Sequence, residues 1–288
     1  MNDKIKICGV VVWYNPKKEY LENIKSYLYK LDELYIIDNS NNTNLELVKN
    51  LGEGITYLPL LCNKGIAYAL NIALEKAIEK NYNYLLTMDQ DSKFLSDSFS
   101  DYISFVENDK EEKIALYSPL HIIDKVKLKE IDIENKKNIE YSERENASGN
   151  ILNLKYVKDI GKFNEDFFID EVDIDYCYRI IEKGYKIKKL NFIPLKHSLG
   201  NYKKYKIGGK VTHHNYIRRY YIVRNKLYMR ELYKEKVAKQ YKKDIWKDIR
   251  KIIFFENDKF LKLKMCWIAY KDFKNGVKGP LKKEYIIK

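Results

Sequence analysis

Two aspartates one residue apart, Asp89 and Asp91, follow the apolar run Tyr84-Leu85-Leu86-Thr87, which reads as a buried strand. Two carboxylates at a strand end put two anions at one sheet edge, where they repel each other unless they share a cation. Hard oxygen ligands in that position suit Mg²⁺ or Mn²⁺, and such an ion most often sits on a phosphate. Asp-x-Asp also occurs in ordinary turns. What makes this pair a candidate site is a second acidic cluster downstream, Phe167-Phe168-Ile169-Asp170-Glu171-Val172-Asp173-Ile174-Asp175, followed by His197.

The elements that must position these residues are legible from periodicity. Ile5–Trp13 is a near-continuous apolar run ended by Tyr14-Asn15-Pro16, as in a strand covered on both faces. Helical spacing follows over Glu19–Leu31, then a strand at Leu34-Tyr35-Ile36-Ile37 closed by Asp38-Asn39-Ser40, and a short helix over Leu45–Leu51. A third strand, Ile55–Leu60, leads through Asn63-Lys64-Gly65 into a helix reaching Lys80, and then into the strand ending at Asp89. This βαβαβαβ order predicts an α/β fold with a doubly wound, mostly parallel sheet and helices on both faces. Ligands of such sheets bind outside the carboxyl ends of the strands, where all four polar clusters fall. Beyond it the pattern predicts a helix over 96–106, a strand over Ile114–Pro119, an exposed charged hairpin or loop over 124–145, and a helix from Asp170 to Lys183. A strand over Lys186–Leu190 precedes a run from Phe192 to His197.

The composition, 45% apolar and 33% charged, is that of a globular chain. No secretory signal and no apolar run of transmembrane length is visible. Cys8, Cys62, Cys177 and Cys266 are scattered and form no C-x-x-C pair, which points to reduced, buried thiols in a cytosolic protein. Charge is uneven: residues 1–200 hold 28 Lys+Arg against 33 Asp+Glu, and residues 201–288 hold 26 against 8. The basic third reads as three helices, Tyr216–Tyr233, Val237–Phe255 and Phe260–Phe273, with aromatics and lysines interleaved. Two domains are expected, 1–205 carrying the site and 206–288 as a basic, aromatic-rich helical appendage.

The ordered set Val10-Val11-Val12-Trp13-Tyr14-Asn15-Pro16, Asp38-Asn39-Ser40, Asn63-Lys64-Gly65-Ile66-Ala67, Asp89-Gln90-Asp91, Ser148-Gly149-Asn150, Phe168-Ile169-Asp170-Glu171-Val172-Asp173, His197-Ser198-Leu199-Gly200 and Tyr220-Tyr221-Ile222-Val223-Arg224-Asn225 resembles the family 2 inverting glycosyltransferases of GT-A fold, in particular the bacterial rhamnosyltransferase-like branch. The resemblance covers residues 5 to about 230, and each motif is weak alone. It implies a nucleotide-sugar donor, dTDP- or UDP-linked, and a Mn²⁺ or Mg²⁺ ion that neutralises the departing diphosphate. Asp91 would bind the metal, Asp89 the metal, ribose or donor sugar, and His197 would be a further ligand. Asp38 would accept a hydrogen bond from the nucleobase, Tyr14 and Asn15 would contact base and ribose, and Asn63, Lys64 and Gly65 would approach ribose and phosphates. The base that deprotonates the acceptor hydroxyl is placed on Asp173, with Asp170 as runner-up. Asp170 is also a reasonable helix N-cap, and acids in a first helical turn favour the helix dipole irrespective of catalysis.

The resemblance further implies transfer, with rhamnose the expected sugar, to a saccharide acceptor of bacterial surface polysaccharide. The alternative is a galactosyl- or galactofuranosyltransferase using a UDP-sugar. If the acceptor is lipid-linked, the enzyme works as a peripheral protein at the inner face of the plasma membrane, and lysine heads with aromatic bodies suit an anionic interface there. Two other readings carry less. A phosphatase of the haloacid dehalogenase type uses Asp-x-Asp, but on the first strand rather than the fourth. A nucleic-acid binder is prompted by the basic tail, but no recognised module accompanies it.

Overall fold

The computed structural model describes residues 5–122, 138–197, 202–205 and 209–286; Ser198-Leu199-Gly200 and most of the charged 124–145 segment lie outside them. The chain divides into two compact units, Met1–Phe163 with Tyr176–Ser198, and Asn164–Asp175 with Leu199–Lys288.

The first unit is built on a nine-stranded sheet. Its strands are β1 (Ile7–Trp13), β2 (Glu33–Asp38), β3 (Ile55–Pro59), β4 (Tyr84–Asp89), β5 (Lys93–Phe94), β6 (Ile114–Ile122), β7 (Ile139–Ser142), β8 (Asn150–Asn153) and β9 (Lys186–Lys196). They run in the order β3-β2-β1-β4-β8-β6-β9-β5, with β7 also on β9. The first four are mutually parallel, as the alternating βα pattern requires, and β8 joins β4 antiparallel. β1 is buried along both faces, which explains its unbroken apolar run. On one face Ile7, Val11 and Trp13 join a core with Ile24 and Tyr27 of α1 (Leu21–Leu28) and Phe99 and Tyr102 of α4 (Ser98–Asn108). Against β1, β2 and β4 also lies α3 (Ile66–Glu79), whose buried stripe is Ala69, Leu70, Ala73, Leu74 and Ala77. Each large apolar side chain so buried contributes about 1.5–3 kcal/mol.

The short helices α2 (Leu45–Val48) and α5 (Val157–Ile160) complete the connections, and α6 (Val172–Glu182) leads to β9. Two strand pairings were not legible in the sequence. Lys93-Phe94 pairs antiparallel with Lys196-Leu195, and Ile139–Ser142, within the segment expected as a loop or hairpin, pairs antiparallel with Ile187–Leu190. The runs 186–190 and 192–197, expected apart, form one strand to Lys196. It bulges where Pro119 faces Leu190 and Leu120 faces Pro194, and this re-aims its end towards β5.

The second unit packs α7 (Tyr216–Leu232), α8 (Lys234–Phe255) and α9 (Lys259–Lys274) around Tyr220, Tyr221, Ile245, Ile252, Met265 and Ala269, beside a two-stranded ribbon of β10 (Tyr202–Tyr205) and β11 (Gly209–Thr212). The helix expected from Asp170 starts later, at Val172. Asp170 and Glu171 have φ of +62° and +64°, outside the helical range, and the Glu171 carbonyl takes the N–H of Asp175 at 2.9 Å. Glu171, not Asp170, therefore stands at the N-cap. Cys8, Cys177 and Cys266 are buried and Cys62 is half-buried, all as free thiols.

Candidate active site

The turn after β4 is closed by the Ser92 N–H donating to the Asp89 carbonyl at 3.2 Å. It is followed at once by β5, whose pairing with the end of β9 brings Ser92 beside a residue 105 positions away: its hydroxyl lies 2.7 Å from His197 Nδ1. The same nitrogen is 3.9 Å from Asp89 Oδ2 and 3.9 Å from Asp91 Oδ1. One ligand atom from each of Asp89, Asp91 and His197 lies within 4.8 Å of the others. Ligands about 2.1 Å from one octahedral ion stand about 3–4 Å apart, so these three fit a single divalent cation after a small closure. Two hard oxygens and an imidazole nitrogen are a donor set that Mn²⁺ accepts.

Neighbouring strands hold this edge. The Ser148 hydroxyl accepts the Asp89 N–H at 3.2 Å, and the Gly149 N–H donates to the Thr87 carbonyl at 2.7 Å. His121, at the end of β6, meets the His197 ring edge-on at 6.0 Å, with its Nε2 2.7 Å from the Ser148 carbonyl oxygen. Burial lowers the His121 pKa, with the Ser148 contact acting the other way. Neutral His121 then donates to that carbonyl through Nε2–H.

Gln90 turns away from the two acids. Its amide accepts the Tyr14 N–H at 3.0 Å and donates to the Tyr14 carbonyl at 3.2 Å, so it clasps the end of β1 as another strand would. The register places Val12 opposite Asp89 and Trp13 opposite Asp38, so the ends of β2, β1 and β4 lie side by side. Further bonds tie the remaining donor-side residues together. The Asn15 N–H donates to Ser40 Oγ at 2.7 Å. Asn39 donates to the Gly65 carbonyl and accepts the Lys64 N–H, both at 2.9 Å, and Asn63 Oδ1 accepts the Gly65 N–H at 3.0 Å. Gly65, at φ +90°, takes a left-handed backbone at the start of α3. Asp38 is fully buried and accepts from Tyr57 (2.6 Å), Asn44 (2.8 Å) and the Ser40 N–H (3.0 Å). Burial and the bond to Asp38 raise the Tyr57 pKa, which keeps the phenol a donor. Asp38 thus organises its own loop, a use the sequence reading did not anticipate.

In the helical unit, α7 holds the acidic loop by its backbone. Arg224, fully buried, donates to the carbonyls of Asp166 (3.0 Å), Phe167 (3.3 Å) and Gly279 (2.6 Å). Asn225 donates to those of Phe167 (2.8 Å), Ile169 (2.7 Å) and Asp170 (3.0 Å). The Phe168 ring stacks on Tyr221 at 4.9 Å. Arg218 grips the Asp170 carboxylate at 2.9 and 3.3 Å, Tyr241 donates to Glu171, and Tyr233 donates to Asp175 at 2.8 Å. Asp175 is 2% exposed, too buried to meet an acceptor. Asp173 is half-buried in the first turn of α6, its Oδ1 3.0 Å from the Ile174 N–H.

Sequence reasoning missed Ser92, Gln90, His121, Arg224 and Asn225 as supporting residues. The first two flank named ligands, and the last two sit inside a quoted motif. His121 carried no local signal.

An acid pair and an imidazole at the carboxyl edge of a parallel sheet, beside cross-linked polar loops, is the arrangement of a GT-A glycosyltransferase. The chain belongs to glycosyl transferase family 2, which residues 10–163 match. It is 30% identical over 236 residues to the dTDP-rhamnosyl transferase RfbF of Shigella flexneri, covering 76% of this chain and 78% of that protein. In fold it is similar to S. aureus TarS 1–349 in complex with UDP-GlcNAc, with TM-score 0.57, 16% identity, and 95% of this chain and 82% of that one covered. It is also similar to GalNAc-T7 with UDP, GalNAc and Mn²⁺, with TM-score 0.54 and 13% identity, covering 69% of this chain but 44% of that one.

Proposed function

We propose that this glycosyltransferase moves rhamnose, with inversion, from dTDP-rhamnose to a saccharide acceptor of bacterial surface polysaccharide, the acceptor being lipid-linked and met at the cytoplasmic face of the membrane. The observation that carries the reading is the convergence of Asp89, Asp91 and His197 at the strand edge of a chain 30% identical to a dTDP-rhamnosyl transferase.

Asp91 and His197, with Asp89, would hold Mn²⁺ or Mg²⁺. When bound, the ion offsets negative charge on the departing nucleoside diphosphate. Tyr14 and Asn15 would contact the nucleoside, and Asn63, Lys64 and Gly65 would approach the ribose and phosphates. Asp38, buried in its own loop, would reach the nucleobase only by giving up one of its present bonds. Gly65 has no side chain to stand between α3's first turn and a phosphate. Asp173 would take the proton of the acceptor hydroxyl, with Asp170, whose carboxylate Arg218 grips, as runner-up. The catalytic region is assigned to 1–205 and acceptor and membrane association to 206–288. Among the described residues no helix is long and apolar enough to cross a membrane, so the association proposed is peripheral.

The test is turnover on a donor panel, dTDP-rhamnose, UDP-galactose and UDP-galactofuranose, with and without chelator. Rhamnosyl transfer lost on chelation and restored by Mn²⁺ or Mg²⁺ is expected. Turnover of a UDP-sugar alone would move the donor assignment, and full activity in chelator would remove the metal from it.

A further inference from the structure

The structure decides where the charge of the helical unit is displayed. Three of its acids are directed inward. Asp248 pairs with Lys226 at 2.5 Å and Arg219 at 3.7 Å, Glu256 pairs with Arg219 and with Lys262 at 2.9 Å, and Asp272 accepts from Tyr220 at 2.7 Å. All three are buried. Asp248 and Glu256 are balanced by cations drawn inward with them, Arg219 and Lys262 buried and Lys226 half-buried, so the unit's excess of cations is carried on its surface.

Two helix faces show this. On α8 the buried side is Val237, Tyr241, Ile245, Asp248 and Ile252. At about 100° per residue, Lys239, Lys243, Trp246, Arg250 and Phe254 fall on the opposite side, and all are exposed. Trp246 is 56% exposed, Phe254 69%, and the adjacent Ile253 41%. On α9, Met265, Ile268 and Ala269 face inward, while Phe260 (91% exposed), Lys264, Trp267 (59%) and Lys271 face out. Lys271 Nζ sits 4.4 Å from the centre of the Trp267 ring. Large apolar tips among cations gain nothing in bulk water. They gain at a boundary where the ring enters an apolar layer and the ammonium head stays with anions.

We propose that the outward faces of α8 and α9 dock the enzyme on an anionic lipid bilayer. Trp246, Phe254, Phe260 and Trp267 enter the headgroup boundary, and Lys239, Lys243, Arg250, Lys264 and Lys271 meet lipid phosphates. Single-stranded nucleic acid also offers phosphates and stacking partners, but it has no use for Ile253 beside Phe254, so the lipid surface is the better match. The surface deepens the membrane-side reading above, and it is tested without reference to catalysis.

The experiment is flotation of the full chain with vesicles of phosphatidylcholine alone and of phosphatidylcholine with phosphatidylglycerol in equal parts. Binding to the mixed vesicles, weakened but not abolished by salt and accompanied by a blue shift of tryptophan emission, is expected. Lys239→Gln, Lys243→Gln and Arg250→Gln combined lower partitioning on the order of a hundredfold, about fivefold per cation removed. Trp246→Ser with Phe254→Ser weakens what remains in high salt. All these side chains are exposed, so unfolding midpoints stay unchanged. Asp91→Ala floats like the parent protein, which separates this inference from the catalytic one. Equal binding to both vesicle types, indifference to the triple substitution, or retention on DNA in preference to vesicles at matched salt would each overturn it.

Discussion

Asn225 Nδ2 donates to the Asp170 carbonyl oxygen at 3.0 Å, across 55 residues of chain, and Asp170 sits at a φ of +62°. Phe168 and Glu171 are left-handed too, at +64° each, and none of the three is glycine. Such conformations cost on the order of 1 kcal/mol or more apiece and persist where surrounding bonds over-determine them. Here the bonds come from Arg224 and Asn225 of one helix.

Asn225→Ala removes the donor from three carbonyls at once. Urea unfolding is expected to show a loss of about 2 kcal/mol. The turnover number should fall while donor affinity holds, because the loop proposed to carry the acceptor base is what loosens. Asn225→Asp keeps the shape but not the N–H groups and should not rescue. Unchanged turnover in both variants would remove the loop from catalysis.

Asp91→Ala takes one oxygen ligand from the three-residue site. Transfer should drop by on the order of a hundredfold or more. Mn²⁺ binding followed by electron paramagnetic resonance should weaken in parallel. Ser92→Ala, which frees His197 Nδ1 from its 2.7 Å contact, should change metal affinity without abolishing transfer. Normal Mn²⁺ binding in Asp91→Ala would sink the ligand assignment.

Asp173→Asn is expected to lower the turnover number by about 10² to 10⁴ and leave the donor dissociation constant unchanged, as loss of a general base should. Asp170→Asn, which weakens a bidentate pair with Arg218, should cost less. The reverse ranking would transfer the base to Asp170.

Gly149→Ala tests the support beneath the edge that carries Asp89 and Asp91. Gly149 has φ +83°, and a Cβ there would meet Pro119 Cγ at 2.6 Å and Leu195 Cδ2 at 2.8 Å. A stability loss of about 2–3 kcal/mol is expected from strain and overpacking together. Gly52, at φ +92° with nothing within 4 Å of its Cβ, isolates the backbone part, and Gly52→Ala should cost about 1 kcal/mol. Equal unfolding midpoints for the two variants would refute the clash.

Glu33, at the start of β2, predicts a pH dependence. Burial alone would raise its pKa, but hydrogen bonds from Lys80, Thr56, Tyr35 and Tyr82 outweigh it and hold the carboxyl at about 2, below its ordinary 4.5. A carboxyl depressed by folding stabilises fully above the unfolded value and loses that contribution as pH falls from about 4.5 towards 2. After allowance for the half-exposed Lys80, the contribution is on the order of 2 kcal/mol. Glu33→Gln should be less stable at neutral pH and show a flatter stability curve across that window in denaturant titrations.

The sequence by itself determined the parallel half of the sheet, because a strand buried on both faces must be apolar along its length and its polar stops must lie at its ends. It also named Asp89, Asp91, His197 and the acidic cluster, because acids and an imidazole at strand ends or helix starts stand out from an apolar background. It set the basic character of the last third. What it could not hold is anything chosen by distant packing. The two-residue strand Lys93-Phe94 has no periodicity to read, yet its pairing with Leu195-Lys196 is what brings Ser92 to His197. The left-handed residues before α6 are of ordinary types, and bonds from Arg224 and Asn225, with those of Arg218 and Tyr241, hold that backbone. Packing of Val237, Tyr241, Ile245 and Ile252 of α8 and of Met265, Ile268 and Ala269 of α9 into the core leaves Lys239, Lys243, Trp246, Arg250, Lys264, Trp267 and Lys271 on two exposed helix faces. Local periodicity follows from covalent geometry and is written residue by residue. Register, backbone handedness at non-glycine positions and the direction of a buried charge are settled by which partners the whole fold brings within reach.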